Sequence, residues 1–293
     1  MSSEQHRALR GLARALRFLL RLAVAGLFLL PLWWVLVASL RPLGLPPSPT
    51  LEWLPDLEGW RNYARLFETV PLANQLRNSL FVELFAVPLT VLTASWAGFA
   101  MALSRPPLQR RLVILAVLLM MVPTTALWLT RFLLFKNLGL IDTPWALILP
   151  AVAGTSSFYV LLYFWTFRRL PREMLEAARL DGAGAFTLWA RVAMPLARPT
   201  SLTVAVLAFG YYWSDLTSPL LYLRSEANYT LPVGLQVLQQ MDSTNWSLLM
   251  AAAVVMLLPV LLLFLILQRF LGFDGQLFRD WTARLGGSSK GPY

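Results

Sequence analysis

Six apolar blocks decide what this chain can fold into. They lie at about 17–39, 77–103, 110–135, 143–167, 200–222 and 246–270, and each reaches the roughly 20 residues that a helix needs to cross a bilayer. With 57% hydrophobic residues and a mean hydropathy of +0.59, the chain is too apolar for a soluble globule. The reading is an all-α membrane protein with six transmembrane helices: a tail over 1–16, a membrane domain over 17–270 and a second tail over 271–293. The first block follows Arg7, Arg10, Arg14 and Arg17 as a signal peptide would. It continues past Trp33 and Trp34 to Leu40 without an obvious small-residue cleavage site, so it reads as a retained span.

Orientation follows from the cations. With the N-terminus inside, 18 of the 25 basic residues fall on inner segments: the Arg7 to Arg21 group, Arg105 to Arg111, Arg168 to Arg198, and Arg269 to Lys290. The positive-inside rule therefore selects cytoplasmic termini. The same distribution accounts for the net charge of +10, so nucleic acid is not needed as a partner.

Absences narrow the chemistry further. There is no cysteine and the one histidine is His6, which removes disulfides, thiolate chemistry, histidine metal sites and Ser-His triads. A nucleotide-binding P-loop needs a lysine followed by Ser or Thr. The two lysines, Lys136 and Lys290, precede Asn137 and Gly291. If ATP drives this protein, another polypeptide hydrolyses it.

Two outer segments join the blocks. Residues 41–76 are rich in Pro, Trp and acid and read as a surface cap, with a short amphipathic helix over Trp60 to Phe67. Residues 224–246 project toward a solute or a delivery protein; the Asn228-Tyr229-Thr230 sequon within them is a common chance match. Prolines recur inside the blocks, at Pro31, Pro88, Pro123, Pro150, Pro219 and Pro259, where they can kink helices and free carbonyls.

The inner loop 168–199 is the most specific segment. Pro171 suits a first helical turn, Glu173 and Glu176 complement its positive end, and Gly182 can take the left-handed conformation that stops it, so a helix is expected from Pro171 to Asp181. Met174, Leu175 and Ala178 form an apolar strip, and Ala178 with Gly182 leaves one end of a face without bulk. Phe186 to Val192 adds a second turn or two, and Pro195 marks the exit to the fifth block. Spacing alone leaves two readings open: a helix lying on the inner leaflet, or a knob on which a partner docks.

Glu176-Ala177-Ala178, then Gly182, then Val192-Ala193-Met194-Pro195 resembles the EAA motif of bacterial ABC importer permeases, with Val192 and Met194 as departures from its Ile-x-Leu-Pro ending. Ser39-Leu40-Arg41-Pro42, Asn62-Tyr63, Asn78-Ser79-Leu80, Leu138 to Thr143 and Ala178 to Ala183 are similar to the MalG-like permeases of carbohydrate uptake. Past Gln268-Arg269-Phe270 the tail departs from the family's usual ending.

The resemblance implies a type I importer permease in the bacterial inner membrane. Its partners would be a second, non-identical MalF-like permease, an ATPase dimer and an extracytoplasmic solute-binding protein. It would carry no cofactor of its own, since ATP would be bound by the ATPase. Glu176, Ala177, Ala178, Asp181, Gly182 and Pro195 would form the coupling element, with Glu176 in polar or ionic contact with the ATPase and Gly182 preserving the turn.

Two acids fall inside the apolar blocks. Glu83 reads either as a local partner in a hydrogen bond or ion pair, or as part of a solute path. Tyr211-Tyr212-Trp213-Ser214-Asp215 joins rings to polar groups as a sugar path would, or packs against the partner permease. It corresponds to a Trp-Asn-Asp-like segment in the family, with Ser214 where asparagine is common. The alternative function is a self-contained secondary transporter or channel, which would keep its coupling groups within the membrane.

Overall fold

The computed structural model describes residues 3–48, 50, 52–241 and 245–267, so the tail over 271–293 and the end of the sixth block lie outside the described residues. Among these residues every regular element is helical. The chain divides into two compact units, one built from the chain up to Ala73 and from Gly234 to Leu258, the other from Asn74 to Val233 and from Pro259 on.

In the first unit, α1 (Ser3–Ser39) carries the first apolar block and continues through Pro31. Leu19, Leu27 and Phe28 along it are largely exposed, as suits a helix whose solvent is hydrocarbon. Its last carbonyls would be orphaned. Asn62 satisfies one of them and one just beyond, its amide donating to the carbonyls of Ser39 and Arg41 at 2.8 Å each. Ser39 donates to the Leu36 carbonyl at 2.7 Å, and the Tyr63 hydroxyl lies 2.8 Å from Ser39 Oγ. Asn62 and Tyr63 open α2 (Arg61–Thr69), the short helix expected over Trp60 to Phe67. Arg41 pairs with Glu52 at 3.0 Å. The chain crosses itself at Gly59, where a Cβ would sit 1.8 Å from the Leu40 carbonyl oxygen, so only glycine fits.

The second unit is organised around α3 (Leu72–Leu103), which passes through Pro88. The third apolar block, drawn as one span at 110–135, folds as α4 (Pro106–Met121) and a second piece that runs through α5 (Trp128–Asn137), with an 87° bend between the two pieces. Pro123 is the cause. It lacks an N–H and holds Val122 in an extended conformation, φ −72° and ψ 119°.

The fourth block begins as α6 (Trp145–Ile148) and tightens into a 3₁₀ stretch over Leu149–Ala153. It then turns through Gly154 and Thr155, both at positive φ, and resumes as α7 (Ser157–Arg168), capped by Ser156. Close packing of α3 on α7 rests on Gly98, where a Cβ would lie 2.6 Å from Tyr163 Cβ and 2.8 Å from the Phe164 nitrogen.

The inner loop then forms α8 (Arg172–Leu180), a single turn α9 (Ala185–Thr187), a π-helical stretch over Leu188–Ala193, and α10 (Met194–Leu196). It turns by 83° into α11 (Arg198–Trp213). The fifth block, drawn as continuous over 200–222, is interrupted at Ser214 to Leu216 before α12 (Thr217–Tyr222). Last come α13 (Leu231–Met241) and α14 (Trp246–Leu267), the latter through Pro259.

Four stretches are long and apolar enough to cross a membrane unaided: Ala15–Ser39, Leu72–Leu103, Trp145–Arg168 and Trp246–Leu267. The two bent pairs bring the number to six.

Candidate functional site

The inner loop is anchored by its apolar residues and displays its polar ones. Leu175, Leu188 and Trp189 are buried in one cluster with Phe99 of α3 and with Tyr159, Tyr163 and Phe167 of α7. The Trp189 indole donates to Ser95 Oγ on α3 at 3.2 Å. Of the expected apolar strip, Leu175 is buried, while Met174 and Ala178 are half-buried. Glu176, Ala177 and Asp181 remain exposed, as does Pro195 within α10, and Leu180 is 89% exposed.

The stop of α8 is set by Gly182. Its φ is +83°, its N–H donates to the Arg179 carbonyl at 3.0 Å, and the Ala183 N–H reaches back to the Ala178 carbonyl at 3.0 Å. These two bonds form a Schellman motif, which requires the left-handed residue. A Cβ at Gly182 would meet nothing within 4 Å, so the glycine answers to backbone conformation rather than to space. Pro171 is the N-cap of α8, one position before the first turn expected for it.

The second group of candidates separates on inspection. Tyr212 and Trp213 turn inward, at 9% and 4% exposure, whereas Tyr211 is 43% exposed. Tyr212 closes a chain of hydroxyls: its OH lies 2.7 Å from Thr155 Oγ1, which lies 2.5 Å from Thr90 Oγ1. That chain braces Thr155, a β-branched residue at φ +60°. Trp213 stacks on Phe209 at 5.4 Å. Ser214 bonds back to the Gly210 carbonyl at 2.7 Å, and Asp215 accepts from the Ser218 N–H at 3.0 Å, tying the interruption to α12.

Glu83, 6% exposed on α3, has neither carboxylate oxygen hydrogen-bonded among the described residues, so no local bond accounts for it. Arg131 is half-buried on α5. Sequence reasoning missed Arg131, although an arginine deep in the apolar block 110–135, well past Arg110 and Arg111 at its start, is the signal that marks it.

At the opposite end from the loop, three further stretches quoted above converge. Asn78 donates to the carbonyls of Ala227 and Tyr229 at 2.8 and 3.0 Å, and Ser79 Oγ accepts from the Leu231 N–H at 2.8 Å. Asp142, at φ 64°, accepts through Oδ1 from the backbone N–H groups of Ser225 and Arg224 and from the Ser225 hydroxyl, each at 2.9 Å. These donors, the Ser225 N–H foremost, hold its carboxyl well below the usual carboxylate range. Asn228 spends its amide on the Asp142 carbonyl and on Ser225, consistent with the sequon being a chance match.

Residues 91–273, which contain the inner loop just described, match the family described as the binding-protein-dependent transport system inner membrane component. The chain belongs to this family. It is a permease of binding-protein-dependent import and not an enzyme, which closes the alternative of a self-contained secondary transporter or channel.

Among relatives of this permease, the arabinooligosaccharides transport system permease protein AraQ of Bacillus subtilis is 31% identical over 251 residues, 83% of this chain and 87% of the relative. The sulfoquinovosyl glycerol transport system permease protein SmoH of Agrobacterium fabrum is 32% identical over 249 residues, 84% and 86% of the two chains. The trehalose transport system permease protein SugB of Mycobacterium tuberculosis is 31% identical over 251 residues, 84% and 90%. In fold, the permease is similar to a chain of a bacterial ABC transporter that imports the acidic polysaccharide alginate, with a TM-score of 0.69 at 20% identity over 92% of this chain and 99% of that one.

Proposed function

We propose that this permease forms half of the translocation path of an ATP-driven importer for a sugar, oligosaccharide or polyol in a bacterial inner membrane. A second, non-identical permease supplies the other half, a separate ATPase dimer binds and hydrolyses ATP, and an extracytoplasmic binding protein delivers the solute. The carbohydrate assignment draws on the relatives, whose names specify arabinooligosaccharides, trehalose, and the sugars melibiose, raffinose and stachyose.

The observation that carries the coupling role is the division of α8 into a buried anchor and an exposed display. Leu175 ties the helix to the spans, while Leu180 at 89% and Phe186 at 67% exposure stand out on a cation-rich loop. Large apolar groups exposed beside charges mark a surface that another protein covers. In this reading Glu176 and Asp181 make the polar contacts, Ala177 and Ala178 let the partner approach closely, and Gly182 and Pro195 fix the two ends of the knob. Tyr211, Asp215, Arg131 and Glu83 are the groups we assign to the solute path, with Tyr212, Trp213 and Ser214 shaping the backbone that presents them.

The test is affinity purification in mild detergent of the permease expressed with its partner ATPase subunit. Glu176→Lys and Gly182→Asp are expected to lose the ATPase while membrane insertion persists. Undiminished co-purification of both variants would refute the docking role, and solute uptake by the permease alone would refute the dependence on ATP.

A further inference from the structure

A cavity of about 370 Å³ lies in the second unit behind α8, between the end of α3, the start of α4 and the end of α7. Its lining has two characters. Phe99, Phe167 and Leu175 are buried and apolar, whereas Arg168, Glu176 and Arg179 are exposed and charged. Among the described residues none of these three charges is ion-paired within the chain. Arginine exceeds acid at the cavity, and exposed Arg105, Arg110 and Arg111 follow in the neighbouring corner between α3 and α4, so the surroundings attract an anion.

The position of the cavity identifies the anion's source. It opens where α3 and α7, two of the membrane-crossing stretches, end on the cation-rich side. The Arg168 guanidinium lies 5.9 Å from the Phe164 ring centre and 5.5 Å from that of Trp165, and Trp165 is 47% exposed. An arginine over an exposed tryptophan at the end of a membrane-crossing helix is the pairing found at the head-group level of a bilayer. A free phosphate would engage only the charged rim, whereas a phospholipid uses both halves, phosphate on the arginines and glycerol esters on the apolar wall.

We propose that this cavity seats the head group of an anionic phospholipid of the inner leaflet, held by Arg168 and Arg179. Because α8 forms one wall, an occupied cavity stiffens the inner loop from behind. The binding site itself stands whether or not α8 docks an ATPase.

The purified full-length permease in mild detergent is titrated with short-chain phosphatidylglycerol, phosphatidylcholine of the same chain length, glycerol phosphate and inorganic phosphate. Native mass spectrometry reads the bound ligand, and hydrogen exchange reads α8. Phosphatidylglycerol is expected to bind about tenfold or more tightly than phosphatidylcholine and to slow exchange in α8. Arg168→Gln with Arg179→Gln is expected to erase that preference, while Arg168→Lys with Arg179→Lys keeps most of it. Should the Gln pair fail to fold, the wild-type ranking of the four ligands still decides. Equal binding of the two lipids overturns the proposal, as does a preference that survives the Gln pair. Glycerol phosphate or inorganic phosphate binding as tightly as phosphatidylglycerol overturns the lipid in favour of a soluble anion. Protection of the cavity residues by the ATPase subunit with no lipid effect overturns it in favour of a protein contact.

Discussion

Asp142 holds Ser225 by two hydrogen bonds, accepting its backbone N–H and its hydroxyl through one carboxylate oxygen, both at 2.9 Å. A residue just before the fourth block thereby fixes the loop that leaves the fifth. Asp142→Asn keeps the shape but not the charge, and charge-assisted bonds are about twice as strong as neutral ones. Amide exchange over Arg224 to Asn228 is expected to quicken about tenfold, the change that a loss of about 1.4 kcal/mol produces. Unchanged protection would show that the loop is held by Asn78 and Ser79 instead.

The same clamp carries a pH dependence of known sign. The folded-state carboxyl lies below the ordinary aspartate value of about 3.9. Its contribution is therefore complete above that value and is lost as pH falls through the folded-state pKa. Loop protection should be level from about pH 5 to 8 and should fall below about pH 4 in the wild type but not in Asp142→Asn. Exchange corrected for intrinsic rates measures this directly.

Gly59 and Gly182 should respond differently to alanine. At Gly59 the new Cβ would collide with the Leu40 backbone, 1.8 Å away, so Gly59→Ala is expected to cost at least the about 1–3 kcal/mol of an overpacked site. At Gly182 there is space, and only the left-handed φ is penalised, by about 1–2 kcal/mol confined to the end of α8. Thermal unfolding in detergent should register the first strongly and the second weakly. Exchange at Ala183 should register the second.

Leu180→Asp separates display from folding. At 89% exposure this side chain contributes little to the fold, so the melting temperature should hold within the range of surface substitutions, about ±0.5 kcal/mol. ATPase recovery on co-purification should fall severalfold. A lowered melting temperature with full recovery would place Leu180 in the lipid or the core instead.

Tyr211 and Tyr212 give a paired test of the solute path. Tyr212→Phe breaks the 2.7 Å link to Thr155 and should cost about 0.5–1.5 kcal/mol of stability. Tyr211→Phe removes a hydroxyl from a ring that is 43% exposed, and should leave stability unchanged while altering solute-stimulated transport in the reconstituted importer. Normal transport kinetics in Tyr211→Phe would remove that hydroxyl from the path.

What the sequence revealed, and what it concealed, follows from the range of each signal. The α8 stop was legible because a Schellman motif is local: Gly182 announces it without reference to any other segment. The short helix beginning near Trp60 was legible for the same reason. Hydropathy located the third and fifth blocks but could not show that they break, because an apolar window is blind to direction, and Pro123 bends one block by 87° while Pro31 and Pro259 sit in continuous helices. Contacts between distant segments were hidden altogether. Neither Asn62 beneath the end of α1 nor Asp142 against Ser225 carries a sign of its partner in its own neighbourhood, and Tyr211 and Tyr212 look alike until the fold turns one outward and one in.

The joint between the inner loop and α11 has a mechanical consequence. Two stiff rods meeting at 83° act as a crank: a push delivered along one emerges as a sideways swing of the other. The short arm is held to α3 by Trp189 through Ser95 and is wound more widely than an α-helix over Leu188–Ala193. A small stroke at α8 would be felt at the far end of α11, where Tyr211 and the break after Trp213 lie.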